Sequence, residues 1–202
     1  TLVPDSPDDA LVPLGRAWMQ AKQARRELSA AAGAPDAWHQ VGGLRRTDPV
    51  SPDVAMLAVT GDPDAWIRRA AGALPRDVLI AAGQRSLAIG ADPEPIVVHA
   101  VTPDAAATSL TWYTGPRAHV RALRAHAAER HLTLTRDALR YRETPIPLAD
   151  EATLYARLDL PLIPVELRAR PGVLDAAVRG ELPQLVEVSD IQGDLHMHTV
   201  YS

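Results

Sequence analysis

The feature that most constrains the fold is an unbroken apolar run of six residues, Val54–Val59. A short continuous run bounded by turn residues predicts a strand that is buried on both faces. Such a strand needs neighbouring strands and a covering layer of helices, and the sequence around it predicts both. Helices are expected at 8–32 and 62–74, and strands at 38–41, 78–82, 86–89 and 96–101. Elements mixed in this order predict an α/β or α+β sheet region over roughly residues 8–103.

The long helix at 8–32 is predicted from its apolar periodicity. Asp8 and Asp9 are expected to cap its start, and Gly33 and Pro35 to end it. Its buried face is predicted to carry five apolar residues: Leu11, Leu14, Trp18, Ala21 and Leu28. The cations Lys22, Arg25 and Arg26 are most simply a solvated face.

The segment in front of the Val54–Val59 run has the composition of a phosphate site. Gly42 and Gly43 allow the backbone to approach a ligand closely, because glycine has no Cβ. Arg46 ends an arginine pair, and a guanidinium suits bidentate binding of phosphate. Asp53 adds a carboxylate where the strand begins. The pattern is that of a nucleotide site, although a strand–turn–strand with solvated charges is the simpler local alternative.

Composition narrows the function classes. The chain has no cysteine, which excludes disulfides and thiolate metal sites and fits a cytoplasmic protein. No apolar run approaches the roughly 18 residues that span a bilayer, so we expect no membrane partner. A net charge of -4 argues against a protein that coats nucleic acid over its whole surface, but it allows a local basic face.

A local basic face is predicted in the second half of the chain. A helix is expected over 117–130, with Val120, Leu123 and Ala127 facing inward, followed by a hairpin at 132–142 and a helix at 150–157. Between Arg117 and Arg142 there are seven arginines against two acidic residues. This excess is the best candidate for a DNA-phosphate contact surface. An ordinary charged helix face is the open alternative.

The end of the chain holds a second chemical pattern, His196 and His198 around Met197. In a strand, residues i and i+2 point to the same side, so both imidazoles could bind one metal ion. A surface or core histidine pair is the usual explanation of so short a motif. Before it, 160–164 is expected to be a stiff connector, 165–179 a weak interrupted helix and 185–188 a strand.

These stretches, in this order, resemble the bacterial family X DNA polymerases, repair polymerases that carry a C-terminal polymerase-and-histidinol-phosphatase (PHP) domain. The glycine–arginine segment 42–46 resembles the phosphate-binding turn of the polymerase palm. Trp112-Tyr113-Thr114-Gly115 resembles the turn that packs against the nucleotide sugar. The connector at 160–168 and the motif at 193–199 resemble the join to the PHP domain and its first metal motif.

The resemblance implies an α+β fold. A nucleotidyltransferase-type palm, a mixed sheet with helices, would occupy 1–103, and a small α/β thumb would occupy 104–160. A connector at 161–190 would lead into the first strand of a truncated PHP domain at 191–202. The helix–hairpin–helix part of the family and most of the PHP domain are expected to be missing, so the chain is expected to be a fragment.

The resemblance also implies roles for individual residues. Asp53 would be catalytic and bind a divalent metal, Mg2+ or Mn2+. The nucleotide would contact Gly42, Gly43, Arg46, Tyr113, Thr114 and Gly115. DNA phosphates would contact Arg117, Arg121 and Arg124. His196 and His198 would bind Mn2+, Zn2+ or Fe2+ in a complete PHP domain.

The chain departs from the family pattern where the chemistry is most demanding. The family supplies three palm aspartates for two metal ions, and here only Asp53 matches. Ala55 and Val97 stand at the other two positions, and neither side chain offers an oxygen. Gly43 replaces the serine of the phosphate turn, and Val120 replaces an asparagine that senses the base pair. The polymerase activity of this chain is therefore expected to be weak or absent.

Three functions follow as hypotheses. The first is a gap-filling DNA repair polymerase, with gapped or nicked DNA and a deoxynucleoside triphosphate as partners and a monomeric state. The second is a non-catalytic DNA-end-binding platform for a PHP-type metal-dependent 3′–5′ exonuclease. The third is an inert remnant with a structural role.

Overall fold

The computed structural model describes residues 11–73, 78–81, 85–89 and 95–193. Ten strands occur in this part of the chain: β1 Val12–Pro13, β2 Ala37–Gln40, β3 Val50–Ser51, β4 Val54–Val59, β5 Val78–Ala81, β6 Ser86–Ile89, β7 Ile96–Val101, β8 Leu132–Leu134, β9 Leu139–Tyr141 and β10 Thr144–Pro145. The α-helices of the same residues are α1 Leu14–Ala32, α2 Gly42–Arg45, α3 Pro63–Ala73, α4 Ala106–Thr114, α5 Arg117–Glu129, α6 Glu151–Arg157 and α7 Val173–Val178. The predicted α+β class is confirmed.

The central sheet has the strand order β2-β4-β7-β6-β5. Strands β4 and β7 pair in parallel, and the other pairs are antiparallel. All six residues of β4 are buried, as its apolar sequence predicted. The alternation of side chains along β4 sends Met56 and Ala58 to one face of the sheet, and Ala55 and Leu57 to the other.

Different layers cover the two faces of the sheet. Helices α1 and α3 pack on the Met56 face through Ala21, Leu28 and Trp66. Helix α4 covers the Leu57 face. Its Tyr113 packs in one hydrophobic cluster with Leu57 of β4 and Val101 of β7. Asp62 caps α3, because its carboxylate accepts a hydrogen bond of 2.9 Å from the Ala65 N–H.

Helix α1 differs from its prediction at its start and in its buried face. It begins at Leu14 behind Pro13, and the expected caps Asp8 and Asp9 lie outside the described residues. Leu11 and Trp18, predicted to be buried, are each about half exposed, at 54% and 52%. The helix instead packs on the sheet through small side chains, Ala17, Ala21, Ala24 and Ala32 together with Leu28. Alanines allow the helix axis to lie close to the sheet, which leaves a bulky indole at the margin.

The second half of the described chain has its own hydrophobic core. Helix α5 contributes Leu123 and Ala127, and the β8–β9 hairpin and α6 add residues such as Leu139 and Leu154. Helix α5 and this hairpin confirm two of the predicted elements. The segment after α6 packs in the same core through Ile163 and further residues: Leu167, Val173 and Ala177. The predicted domain boundaries stay a prediction.

The predicted strand at 185–188 is wrong. Residues 185–187 have no regular structure, and a short 3₁₀-helix spans Val188–Asp190. Val186 and Val188 are 80% and 86% exposed. A strand is stable only when a neighbour completes its hydrogen bonds, and no described strand pairs with this segment. No helix among the described residues is long and apolar enough to cross a membrane.

Candidate nucleic-acid interface

The glycine pair lies at the junction of β2 and β4. Gly42 begins α2 with a φ of +61°, a conformation that favours glycine. A Cβ on Gly43 would lie 2.7 Å from Ser51 Oγ and 3.0 Å from an Asp48 carboxylate oxygen, so these two side chains would have to shift to admit a larger residue. The segment folds as a short helix rather than the simple turn between strands that the sequence suggested.

Asp53, Ala55 and Val97 meet on one face of the sheet. A Cβ on Gly42 would lie 3.4 Å from Ala55 Cβ and 3.8 Å from Asp53 Oδ1. The segment 42–46, named the glycine turn from here on, therefore lies over both residues. Ala55 is directly opposite Val97 in the parallel β4–β7 pair. The three positions where the resemblance expects carboxylates therefore lie together, and two of them are apolar.

These residues do not fit a pair of divalent ions. Mg2+ requires near-octahedral oxygen coordination, and only Asp53 supplies a carboxylate among the three positions. No group of three or more metal-ligating side chains occurs among the described residues. Burial raises the pKa of Asp53 above its usual range, and the charge of Arg46 offsets part of that effect. Asp53 thus lies beside a guanidinium and two apolar side chains.

Arg46, predicted to bind the triphosphate, is held by the protein itself. Its Nη2 donates to the Asp48 carboxylate at 2.5 Å, and its Nη1 donates to the carbonyl of Thr114. The same Asp48 oxygen lies beside the Gly43 backbone. The carboxylate of Asp48 therefore lies between the Gly43 backbone and the Arg46 guanidinium. Asp48 serves as the partner of Arg46.

Tyr113, Thr114 and Gly115 end helix α4 against the sheet. Tyr113 stacks on His99 with ring centroids 3.6 Å apart and planes 12° from parallel. The Thr114 hydroxyl accepts a 2.8 Å hydrogen bond from Arg45. Gly115 lies against His119, where a Cβ would be 3.0 Å from the imidazole Cδ2. Of these three residues, Thr114 contacts both arginines of the pair, Arg45 through its hydroxyl and Arg46 through its carbonyl.

Sequence reasoning missed a buried ionic cluster at this junction. Glu151 accepts hydrogen bonds from Arg45 at 2.5 Å, from Arg168 at 2.8 Å and from the Thr111 hydroxyl at 2.8 Å. Burial raises the pKa of Glu151, but the hydrogen bonds and charges of Arg45 and Arg168 outweigh it, so the pKa lies below its usual range. No sequence pattern pairs Glu151 with Arg45, because the partners are 106 residues apart.

A second missed cluster surrounds His99 on β7. The Ser86 hydroxyl lies 2.6 Å from His99 Nδ1, and Tyr113 covers the imidazole ring. Burial, followed by the charge of Arg136, lowers the pKa of His99 to about 3, so the ring is neutral at pH 7. Burial also raises the pKa of Tyr113, whose hydroxyl interacts with Arg136 and Ser86. A histidine between apolar strand residues was the sequence signal that could have pointed here.

Helix α5 exposes a basic face. Arg117, Arg121 and Arg124 are exposed and recur at i, i+4 and i+7, so they lie on one side of the helix. The Arg124 guanidinium lies 5.6 Å from the centre of the Trp112 ring. None of these three arginines takes part in an ion pair among the described residues. Two neighbours are neutralised, since Arg130 pairs with Asp159 and Arg136 with Asp137. The basic face is therefore narrower than the arginine count suggested.

Comparisons with known proteins show similarity to DNA polymerases. A family model described as the DNA polymerase beta thumb matches residues 109–169, which contain α5, the hairpin and α6. Over 169 residues the chain is 28% identical to the DNA polymerase/3'-5' exonuclease PolX of Bacillus subtilis. The chain is therefore similar to a bacterial family X DNA polymerase, and part of it matches a polymerase thumb.

The match to the B. subtilis relative covers very different shares of the two proteins. It covers 81% of this chain but 29% of that protein. The residues that match the thumb model contain the basic face of α5, together with Thr114, Glu151 and Arg168. His196 and His198, the predicted PHP metal ligands, lie outside the described residues.

Proposed function

We propose that this chain is a palm–thumb DNA-binding module of the family X type, which binds gapped or nicked DNA and does not itself add nucleotides. The observation that carries the proposal is the pairing of Ala55 with Val97 beside Asp53. Nucleotidyl transfer by two metal ions requires acidic side chains that bridge both ions. A single carboxylate with two apolar neighbours offers too few oxygens.

The surroundings of Arg46 support weak nucleotide binding as well. A triphosphate at the glycine turn would meet the Asp48 carboxylate, which has the same sign of charge and already holds the guanidinium. Like charges at such short range disfavour binding. We therefore propose DNA, rather than a free deoxynucleoside triphosphate, as the principal ligand of this module.

DNA binding is proposed to act through Arg117, Arg121 and Arg124 of α5. Exposed arginines on one helix face can each neutralise a phosphate and release a counterion, which makes the affinity dependent on salt. The Trp112 ring supports this face, because the Arg124 guanidinium lies over it in a cation–π contact.

The test is the binding of a gapped duplex, measured by fluorescence anisotropy over a range of salt. Arg121→Gln is expected to weaken binding and to reduce the slope of log K against log salt by about 0.9. The control Arg68→Gln changes an exposed arginine on α3, which packs on the Met56 face of the sheet. This variant should leave the DNA affinity and the salt slope unchanged. Equal effects of the two variants would overturn the proposed interface. Failure of the unaltered protein to bind DNA at low salt would favour an inert remnant.

A second candidate function is a platform for a metal-dependent phosphoesterase that trims 3′ ends. It is favoured by the motif around His196 and His198 and by the words "3'-5' exonuclease" in the name of the B. subtilis relative. A form of the protein that extends beyond Ser202 should then degrade 3′ ends with Mn2+, and His196→Ala should abolish that activity. Unchanged degradation in the variant would sink this candidate.

A further inference from the structure

A cleft of about 410 Å³ lies between α1 and the free edge of β2. Trp18, Lys22 and Arg25 line it from one side of α1, and Trp38, His39 and Gln40 line it from β2. The volume is within the range of about 300–1,000 Å³ that small-molecule sites occupy. Among the described residues, Asp53, Ala55 and Val97 do not line this cleft.

The two tryptophans of the cleft differ in how they are held by the protein. Trp38 is a fixed wall, because its indole N–H donates to the Ser29 hydroxyl at 3.2 Å and its ring meets Trp66 edge-on at 5.5 Å. Trp18 is 52% exposed at the mouth of the cleft. An exposed indole opposite a fixed one offers a flat apolar surface on which a planar ring can stack.

The charges of the cleft are all positive. Lys22 and Arg25 are exposed on successive turns of α1, and neither takes part in an ion pair among the described residues. A third cation, Arg45, also lines the cleft and is already paired with Glu151. Within the part of the chain that the structure describes, no carboxylate lines the cleft. The chain as a whole carries a net charge of -4, so this local excess is selective for an anion.

Neutral hydrogen-bonding groups complete the lining. Burial, followed by the charge of Arg45, lowers the pKa of His39, so its imidazole is uncharged near neutral pH. The Gln40 amide offers both a donor and an acceptor. Aromatic surface, unpaired cations and neutral polar groups together match a planar base that carries a phosphate.

We propose that this cleft binds a nucleotide of single-stranded DNA, with the base against Trp18 and the phosphates at Lys22 and Arg25. Bases of a duplex are stacked inside it, whereas a single strand can present them to aromatic side chains. The inference rests on the proposed DNA-binding function in one respect: the gapped DNA proposed above contains the single-stranded stretch that would supply the nucleotide.

The test is anisotropy of a short labelled oligo-dT strand at low salt. Trp18→Ala is expected to weaken binding about fivefold or more, the loss expected for one stacked base. Trp18→Phe, which keeps a ring, should retain most of the affinity. Arg25→Gln should also weaken binding. The matched controls on the same helix, Met19→Ala and Arg26→Gln, change exposed residues that do not line the cleft and should have no effect.

Two further measurements separate the outcomes. Competition by free thymidine monophosphate at the affinity of the strand would show that the site takes the free nucleotide, and would overturn the assignment to single-stranded DNA. Equal affinities of Trp18→Ala and Met19→Ala would overturn the site itself. The affinity of Arg121→Gln for a blunt-ended duplex depends on α5 alone, because this DNA has no single-stranded stretch. A failure of the cleft proposal can therefore be told from a failure of the proposed α5 interface.

Discussion

Among single residues, Glu151 links the segment that begins with the glycine pair to the second half of the chain. Its carboxylate binds Arg45 of the glycine turn and Arg168 of the segment after α6. The Arg168 side chain is only 1% exposed, so its charge depends on Glu151 for compensation. A buried ion pair adds little stability compared with apolar residues, but the loss of one partner leaves a buried unpaired charge.

Glu151→Ala is therefore expected to lower the free energy of unfolding by about 3–5 kcal/mol, the usual cost of breaking a buried pair. Chemical denaturation followed by circular dichroism measures this change. Glu129→Ala removes an exposed carboxylate from α5 and should change stability by no more than about 0.5 kcal/mol. A loss as small as that of Glu129→Ala would contradict a structural role for the Glu151 cluster.

Among the elements, the contact between strand β7 and helix α4 joins the sheet to the second half of the chain. His99 and Tyr113 stack across this contact, and Ser86 on β6 hydrogen-bonds to the imidazole. The ring is neutral in the folded protein because burial, with the charge of Arg136, lowers its pKa to about 3. Unfolding returns the pKa of His99 to its ordinary value of 6.5.

The pH dependence follows from this difference. The unfolded chain binds a proton on His99 below pH 6.5, while the folded protein does not until near pH 3, so stability falls as the pH drops through that window. At pH 5 the cost of this one group is about 2 kcal/mol. His99→Gln should reduce the loss of stability between pH 7 and pH 5 by about that amount.

Urea denaturation at the two pH values measures this slope. His131→Asn is the control, because His131 is exposed and asparagine tolerates its positive φ of 59°. His119 should contribute in the same direction, since burial and the charge of Arg168 lower its pKa to about 4. An unchanged slope in His99→Gln would show that the imidazole is not buried against Tyr113.

For the whole molecule, the sequence predicted most of the sheet but not what joins its parts. Strand β4 was predicted at its observed bounds because a short apolar run between turn residues is typical of a strand in a sheet interior. Helix α1 was misread at Trp18, since burial of a large apolar side chain is the usual expectation and the helix packs through alanines instead. Periodicity identifies a face but not how closely it approaches its neighbour.

The candidate site shows the same limit. The positions of Asp53, Ala55 and Val97 followed from the resemblance, and the structure brings Ala55 and Val97 side by side. The pairing of Arg46 with Asp48 and of Arg45 with Glu151 depends on three-dimensional contacts that no local pattern encodes. These two pairs decide what the arginines can still bind.

The central claim is that this palm binds DNA without adding nucleotides. The most direct measurement mixes the protein with a gapped DNA, deoxynucleoside triphosphates and Mg2+ or Mn2+, and follows binding and primer length in the same sample. The account predicts a bound complex whose primer stays at its original length, because Ala55 and Val97 supply no oxygen to a metal ion. Template-directed extension of the primer that disappears in Asp53→Ala would contradict it.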